Sequence, residues 1–248
     1  MRYFLHLAYN GAAYCGWQRQ PNALGVQQVI EDALSTMLRR PTAIVGAGRT
    51  DTGVHAACMY AHFDMEDAPK DVPSFLRSLN HLCGRDISIY DLIPVHADAH
   101  ARFDAVSRTY KYYLCPRKSP FLYPYSWMVT AELDYGAMNQ AAAMLLEVED
   151  FTSFAKLHSD AKTNICDVRE ARWDKAGDMW VFTITADRFL RNMVRAVVGT
   201  LVEVGRGKMT LQRFRDVIAA KDRCEAGISV PPQALFLHSI RYPYITDK

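Results

Sequence analysis

Strand-like and helix-like segments alternate along this chain of 248 residues, and a similar order of segments occurs twice. Segment 2–9 alternates roughly between apolar and polar residues and is rich in aromatic residues, which is typical of a β-strand. Segment 26–40 repeats apolar residues at helical spacing before Pro41, which favours an amphipathic helix. The other predictions for the first half are strands at 42–48, 57–65 and 86–95, and a helix at 71–83 capped by Asp71.

The second half repeats this mixture. It begins with a predicted strand at 107–115, which is followed by a proline-rich loop. A hairpin is expected where two strand-like segments flank the turn residues 175–178. The other predictions are helices at 134–147, 189–205 and 210–220, hairpin strands at 165–174 and 179–188, and a closing strand at 234–242.

Strands and helices mixed in two comparable halves predict the α+β class, with two similar α/β halves built on mixed or antiparallel sheets. The joint falls near residues 100–107, and no low-complexity linker separates the halves. We therefore expect an N-terminal half at 1–104 and a C-terminal half at 105–248 that pack closely.

Composition excludes several protein classes. Half of the residues are hydrophobic and 23% are charged, which is ordinary for a globular protein. The apolar stretch near the N-terminus is too short and too polar for a signal peptide or a membrane span, so we expect a cytoplasmic protein with no membrane partner. The six cysteines include no C-x-x-C pair, which argues against a zinc site and against a disulfide framework.

The net charge of +2 does not by itself indicate a nucleic-acid-binding protein. Basic residues nevertheless occur in local groups that could meet a phosphate backbone. On composition alone, solvated helix faces and loops are the somewhat favoured interpretation. The groups are Arg39–Arg40, Arg108 with Lys111, Arg117–Lys118, Arg188 with Arg191 and Arg195, and Arg206 to Arg215.

The loop "GAGRTDTGVH" at 46–55 places a carboxylate, Asp51, among three glycines. It is not a phosphate-binding loop, because it has neither the Gly-Lys-Ser/Thr of a P-loop nor a helix behind a G-x-G-x-x-G run. Taken alone, an Asp in such a loop most often forms a turn by bonding its own backbone. Asp51-Thr52-Gly53 also spells the D-T-G of aspartic proteases, but a dimer would have to supply the second carboxylate. A cation two residues before Asp51 opposes the shared proton that such a pair requires.

The longer run "GAGRTDTGVHA" resembles the catalytic loop G-R-T-D-x-G-V-H-A of the tRNA pseudouridine synthase A (TruA) family. Further resemblances run in order along the whole chain, some with substitutions such as Asn10, Ala99 and Ala234 at positions where the family usually has other residues. The similar stretches are "LAYNGAAYCGWQRQP" at 7–21, "VQQVIEDAL" at 26–34, "DAHARFDAVSRTYKYYL" at 98–114, "FLRNMVRAVVGTLVEVG" at 189–205 and "PPQALFLHSIRYP" at 231–243.

This resemblance implies an isomerase that converts uridine to pseudouridine at positions 38, 39 and 40 of the tRNA anticodon stem-loop, without a cofactor or a metal. Asp51 would be the catalytic carboxylate, acting as nucleophile or base. Tyr110 would stack on the flipped uracil, although it would also suit the core face of a sheet. Arg195 would pair with Asp51, Arg49 would help to displace the nucleotide, and Leu235 would line the uracil pocket or simply pack in the core.

Arg188, Arg191 and Arg195 recur at helical spacing and are therefore expected along one face of the predicted helix at 189–205. His55 and His100 lie in the motifs and are expected to brace loops. His96, Asp98 and His100 alternate as metal ligands do, which we interpret as coincidence.

The resemblance also implies tRNA as partner, a homodimer that tRNA spans, and a catalytic cleft between two halves whose sheets lie side by side. The main alternative is a non-catalytic RNA-binding module, which would need the basic and aromatic surface but not Asp51. The dimeric aspartic protease is the weaker alternative.

Overall fold

A computed structural model describes residues 1–156 and 162–245 of the chain. Helices and strands alternate in the mixed manner expected, so the α+β class is confirmed. The chain separates into two compact units, one formed by Met1–Val106 with Leu237–Lys248 and the other by Ser107–Phe236. The sequence predicts a half at 105–248, whereas residues 237–245 group with the first unit in the structure.

The first unit contains an antiparallel arrangement around its first strand. β1 (Arg2–Tyr9) lies between β3 (His55–Asp64) and β4 (Ile87–Val95). The short β2 (Val45–Gly46) pairs with the C-terminal end of β3, whereas the loop after β2 leads into the N-terminal end of β3. In the strand order, β9 (Leu235–Arg241) is next to β3. Helix α2 (Val72–Cys83) packs against β4, and α1 (Val26–Leu38) packs against α2.

Hydrophobic burial on both faces of β1 stabilises this unit. Phe4, Leu5 and Leu7 of β1 are fully buried. Burying a side chain of this size contributes about 1.5–3 kcal/mol. Asp71 caps α2 as expected, since its Oδ1 accepts a hydrogen bond of 3.3 Å from the N–H of Ser74.

The second unit is built on a mixed sheet. β5 (Ser107–Cys115) pairs antiparallel with β8 (Met179–Ala186), which pairs antiparallel with β7 (Val168–Ala176). The short β6 (Trp127–Met128) runs parallel to β5. Helix α3 (Tyr135–Met144) packs against β7, α4 (Met193–Gly205) and α5 (Leu211–Ala220).

Two helices differ from their predicted bounds because a residue adopts a left-handed backbone conformation. Asn192 has φ 66°, so α4 begins at Met193 rather than at 189. Asn is one of the few residues that adopt this conformation readily. The prediction that Arg188, Arg191 and Arg195 share a helix face is therefore wrong, since only Arg195 is helical. Arg39, at φ 54°, likewise ends α1 before Pro41.

Two other segments are shorter than predicted. The strand expected at 42–48 is reduced to β2, and the helix expected at 134–147 ends as α-helix at Met144 and continues as a 3₁₀ turn, Leu145–Glu147. Within the described residues, every helix is too short or too polar to cross a bilayer.

Candidate active site

The loop that carries Asp51 connects β2 to β3 in the first unit. Asp51 is half-buried, Thr50 before it is buried, and Arg49 is exposed. The N–H of Val54 donates to the backbone oxygen of Asp51 over 3.1 Å, which closes a tight turn. In the middle of this turn Gly53 has φ 76°. The turn thus fixes the backbone of Asp51 and leaves part of the Asp51 side chain accessible.

A second segment, residues 9–17, holds this loop from the side. The hydroxyls of Tyr9 and Thr50 form a buried hydrogen bond of 2.8 Å. The backbone oxygen of Thr50 accepts from the N–H of Trp17 at 3.3 Å, and the N–H of Gly53 donates to the oxygen of Tyr14 at 3.3 Å. These contacts flank Asp51 on both sides, so they support the backbone that carries the carboxylate.

The close approach of the two segments depends on Gly16. Its φ is 82°, and a Cβ atom at this position would lie 2.3 Å from the backbone oxygen of Thr50. A side chain would therefore push the supporting segment away from the loop. Two of the sequence stretches that resemble the family, 7–21 and 46–55, are thus parts of one local structure.

His55 and His100 brace loops, as expected. His55 is 1% exposed, and its Nδ1 accepts a hydrogen bond of 3.0 Å from the N–H of Gly11. The Nδ1 of His100 accepts from the N–H groups of Arg102 and Phe103 at 3.1 and 3.3 Å. His96 bonds Asp98 through its Nδ1 at 2.7 Å. Across residues 1–156 and 162–245, no three His, Cys, Asp or Glu side chains are grouped as metal ligands would be.

Tyr110 lies on β5 in the second unit, opposite Ile184 of β8. It is half-buried, and its ring meets the ring of Phe189 edge to face at 5.0 Å between centroids. Tyr112, two residues along the same face, is fully buried. Tyr112 therefore belongs to the core, whereas part of Tyr110 remains accessible.

Arg195 lies in the first turn of α4. It and Glu203 are the two residues of this helix that are not buried. Its Nε donates to the backbone oxygen of Val230 at 2.7 Å, and the N–H of Val230 donates to the backbone oxygen of Arg195 at 3.3 Å. Because a guanidinium is planar, a bond through Nε fixes the directions of its terminal nitrogens.

Val230 belongs to a segment, residues 226–231, that we name the bracing segment. The N–H of Gly227 donates to the hydroxyl of Thr200 at 2.9 Å, and the hydroxyl of Ser229 accepts from the amide of Asn192 at 2.6 Å. The hydroxyl of Tyr112 donates to the backbone oxygen of Pro231 at 2.9 Å. Burial raises the pKa of Tyr112, so the phenol stays protonated and keeps this bond.

Leu235 follows the bracing segment as the first residue of β9 and is 5% exposed. Such burial is ordinary for a core residue, and a wall of a pocket would also be largely covered. Its position one short 3₁₀ turn beyond the bracing segment, Pro232–Ala234, connects it to the residue that orients Arg195.

Several basic groups found in the sequence are neutralised locally by carboxylates. Exposed ion pairs contribute about 0–1 kcal/mol to stability, and a paired cation attracts a phosphate less strongly. The interpretation of these residues as ordinary solvated surface is therefore strengthened. The pairs join Arg40 with Glu66, Arg117 with Asp178, Arg206 with Glu203 and Arg213 with Glu225.

Within each unit, the structure groups the candidate residues as follows. Asp51 and Arg49 lie in one loop of the first unit, while Tyr110, Arg195 and Leu235 belong to the second. The pairing of Arg195 with Asp51 stays a prediction.

Sequence reasoning missed the supports of these residues, such as the Tyr9–Thr50 hydrogen bond and the oxygen of Val230. A signal for the first was the aromatic residue just before the "NGAAYCG" turn. A backbone acceptor gives no signal in a sequence.

Residues 141–243 match the family model described as tRNA pseudouridine synthase. A curated relative from Parabacteroides distasonis, named tRNA pseudouridine synthase A, is 56% identical over 242 residues, which are 98% of this chain and 96% of the relative. Proteins of the same name from Bacteroides fragilis and Porphyromonas gingivalis are 54% and 55% identical, over 98% of this chain and 96% and 97% of their own lengths.

Proposed function

This chain belongs to the tRNA pseudouridine synthase A family, and we propose that it isomerises uridine at positions 38, 39 and 40 of the tRNA anticodon stem-loop through Asp51. As a member it is an isomerase that acts on tRNA uridine, which leaves neither the non-catalytic RNA-binding module nor the aspartic protease as an alternative. The reaction breaks the N-glycosidic bond, turns the uracil over and rejoins it to the sugar through C5. The C5 proton is lost and N1 gains one, so the product is an isomer of the substrate.

The observation that carries the proposal is the support around Asp51. Hydrogen bonds hold Thr50 and Gly53 on either side of it, and the half-buried carboxylate sits on a fixed backbone. A carboxylate can attack the sugar or the base, or remove a sugar proton, and is regenerated in each case. Fixing it before the substrate binds lowers the entropic cost of reaching the reactive geometry.

The other candidate residues meet further requirements of the reaction. The uridine must leave the helical stack, which costs a few kcal/mol. We assign the exposed Arg49 to displacing the nucleotide and the accessible ring of Tyr110 to stacking on the uracil, an interaction that contributes about 1–3 kcal/mol. Arg195, oriented through Val230, is assigned to keeping Asp51 ionised. Leu235 is assigned to the apolar wall around the base.

The assembly and location follow from the same proposal. The chain has a net charge of +2, and part of its basic surface is paired with carboxylates. A homodimer would join the remaining basic groups of two copies into one larger surface for tRNA. We place this homodimer in the cytoplasm, where its substrate is found.

The decisive experiment incubates the protein with unmodified tRNA and maps pseudouridine in the anticodon arm. Transcripts with a single uridine at position 38, 39 or 40 test the three sites separately. We expect pseudouridine at each of them with the wild-type protein, and none with Asp51→Asn, which keeps the shape of the side chain but removes its charge.

Asp91→Asn is the matched control, because Asp91 is also a half-buried carboxylate of the first unit but lies on β4, outside the loop of Asp51. The control should retain the activity. Wild-type activity of Asp51→Asn would refute the role of the carboxylate, and pseudouridine confined to other positions of the tRNA would refute the assignment of the anticodon stem-loop.

A further inference from the structure

An exposed aromatic side chain lies on a braced turn of the first unit, away from the loop of Asp51 in the sequence. Phe103 is 73% exposed although its neighbour Ala101 is fully buried. Single exposed apolar residues are common. Phe103 differs from these because two other flat groups surround its ring and because the turn beneath it is fixed.

The three side chains form a composite surface that we name the 100–103 platform, made of His100, Arg102 and Phe103. The rings of His100 and Phe103 lie 4.3 Å apart between centroids with an interplanar angle of 34°. The guanidinium carbon of Arg102 lies 5.5 Å from the centroid of the Phe103 ring, within the range of a cation–π contact. The platform therefore combines two aromatic rings with a positive charge that lies over the ring of Phe103.

Hydrogen bonds from both sides hold the turn that carries this platform. The N–H of His100 donates to the carboxylate of Asp104 at 2.7 Å, and the hydroxyl of Tyr244 donates to the same carboxylate oxygen at 2.7 Å. The N–H of Ala101 donates to Nδ1 of His62 at 3.1 Å, and its oxygen accepts from the hydroxyl of Tyr242 at 2.5 Å. A ligand would consequently meet a surface that needs little ordering on binding.

The protonation state of His100 fits this arrangement. Burial lowers the pKa of His100, which favours a neutral ring at pH 7. A neutral ring can accept through Nδ1, as the bonds from the N–H groups of Arg102 and Phe103 require. The imidazole of His100 thus fixes the backbone of Arg102 and Phe103, the other two residues of the platform.

We propose that the 100–103 platform binds an unpaired nucleobase of the tRNA substrate, with the base stacked on Phe103 and Arg102 beside its phosphate. This deepens the proposed function, since it takes tRNA as the ligand. Proteins recognise unpaired RNA bases by stacking them on aromatic rings and on guanidinium planes, and the platform contains both. Phe and Arg are also enriched in protein interfaces, so contact with a second copy of this chain is one of the outcomes that the test separates.

The test compares four variants for affinity to an unmodified tRNA transcript at fixed salt, using filter binding. Phe103→Ala and Phe103→Leu both remove the aromatic face, and we expect each to weaken binding about fivefold or more. Phe103→Trp keeps a larger ring and should bind within about twofold of the wild type. Tyr90→Leu removes another exposed aromatic residue of the first unit and should leave the affinity unchanged.

The outcomes separate this proposal from the proposed function. Pseudouridine formation is measured in parallel at saturating protein, where all variants should approach the wild-type rate because Phe103 is not assigned to the chemistry. If the wild-type protein forms no pseudouridine, the proposed function is overturned. The affinities of the four variants for tRNA would still test the platform.

Three results would overturn the platform. In the first, Phe103→Leu binds as tightly as the wild type, so that apolar contact alone suffices. In the second, Tyr90→Leu weakens binding as much as Phe103→Ala does, so that the effect is not local. In the third, Phe103→Ala changes the oligomeric state in analytical ultracentrifugation, which would assign Phe103 to an interface between copies of this chain.

Discussion

Replacing Gly199 of α4 with alanine should destabilise the second unit, although alanine is the better helix former. A Cβ atom at this position would lie 1.9 Å from the backbone oxygen of Ile228, whereas ordinary contacts begin at 3.4 Å. Either the helix or the bracing segment must therefore move by about 1.5 Å to relieve the overlap.

The magnitude follows from the bonds that such a shift would break. The N–H of Gly227 donates to the hydroxyl of Thr200 at 2.9 Å, and the N–H of Val230 donates to the backbone oxygen of Arg195 at 3.3 Å. Each such bond contributes about 0.5–1.5 kcal/mol, and overpacking costs a further 1–3 kcal/mol or so. The helix propensity of alanine offsets about 1 kcal/mol of this loss. We expect the free energy of unfolding to fall by about 1–5 kcal/mol.

Urea denaturation followed by far-UV circular dichroism measures this change. Gly136→Ala is the matched control, because Gly136 also lies in a helix and a Cβ there would meet only a side-chain oxygen of Asp134 at 3.1 Å. The control should stay within about 1 kcal/mol of the wild type. If Gly199→Ala is as stable as Gly136→Ala, the close packing of the bracing segment on α4 does not constrain the fold as argued.

Three further predictions concern the site, the substrate and pH. Arg195→Lys keeps the charge but loses the planar Nε donor to Val230. The rate of pseudouridine formation in single-turnover kinetics should therefore fall roughly 10- to 100-fold, and an unchanged rate would contradict the orienting role. The affinity for tRNA should decrease steeply as the salt concentration is raised from about 50 to 200 mM, because binding releases counterions from phosphates. An affinity that shows no salt dependence in filter binding would count against a surface that contacts phosphates. The pKa of His62 is lowered from 6.5 to about 4, mainly by burial and next by the charge of His100. Between these pH values the unfolded chain binds more protons than the folded one, so stability is lost as pH falls from about 6.5 towards 4. Urea denaturation should show a loss of about 1–2 kcal/mol between pH 7 and pH 5. This loss should be smaller in His62→Asn, whose side-chain oxygen can replace the acceptor for the N–H of Ala101, and equal losses in both proteins would exclude His62 as the cause.

Features determined by local sequence were largely predictable. The hairpin formed by β7 and β8 was signalled by two alternating segments around a turn, and Gly177 in that turn has φ 59°. The N-cap of α2 was readable because Asp71 precedes an apolar helical pattern. The start of α4 could not be predicted, since the apolar pattern begins already at 189 and only the backbone conformation of Asn192 delays the helix.

The candidate site divides in the same way. Asp51, Tyr110 and Arg195 were found through motifs that are contiguous in the sequence. The contacts that fix them join residues far apart, such as Tyr9 with Thr50 and Arg195 with Val230, which are 41 and 35 positions apart. Periodicity and propensity describe neighbours along the chain, so they do not reveal which distant backbone oxygen accepts a bond.

The discontinuous first unit has a consequence for how the protein forms during translation. Residues 107–236 separate Val106 from Leu237, the residue of β9 at which the chain returns to this unit. That strand leads into Tyr242, a buried residue whose ring meets those of Phe4 and Tyr60 at 5.2 Å. A nascent chain therefore exposes the aromatic surface around Phe4 until Tyr242 has left the ribosome, while the continuous second unit can fold earlier. The loop of Asp51 consequently belongs to the part of the molecule that is finished last.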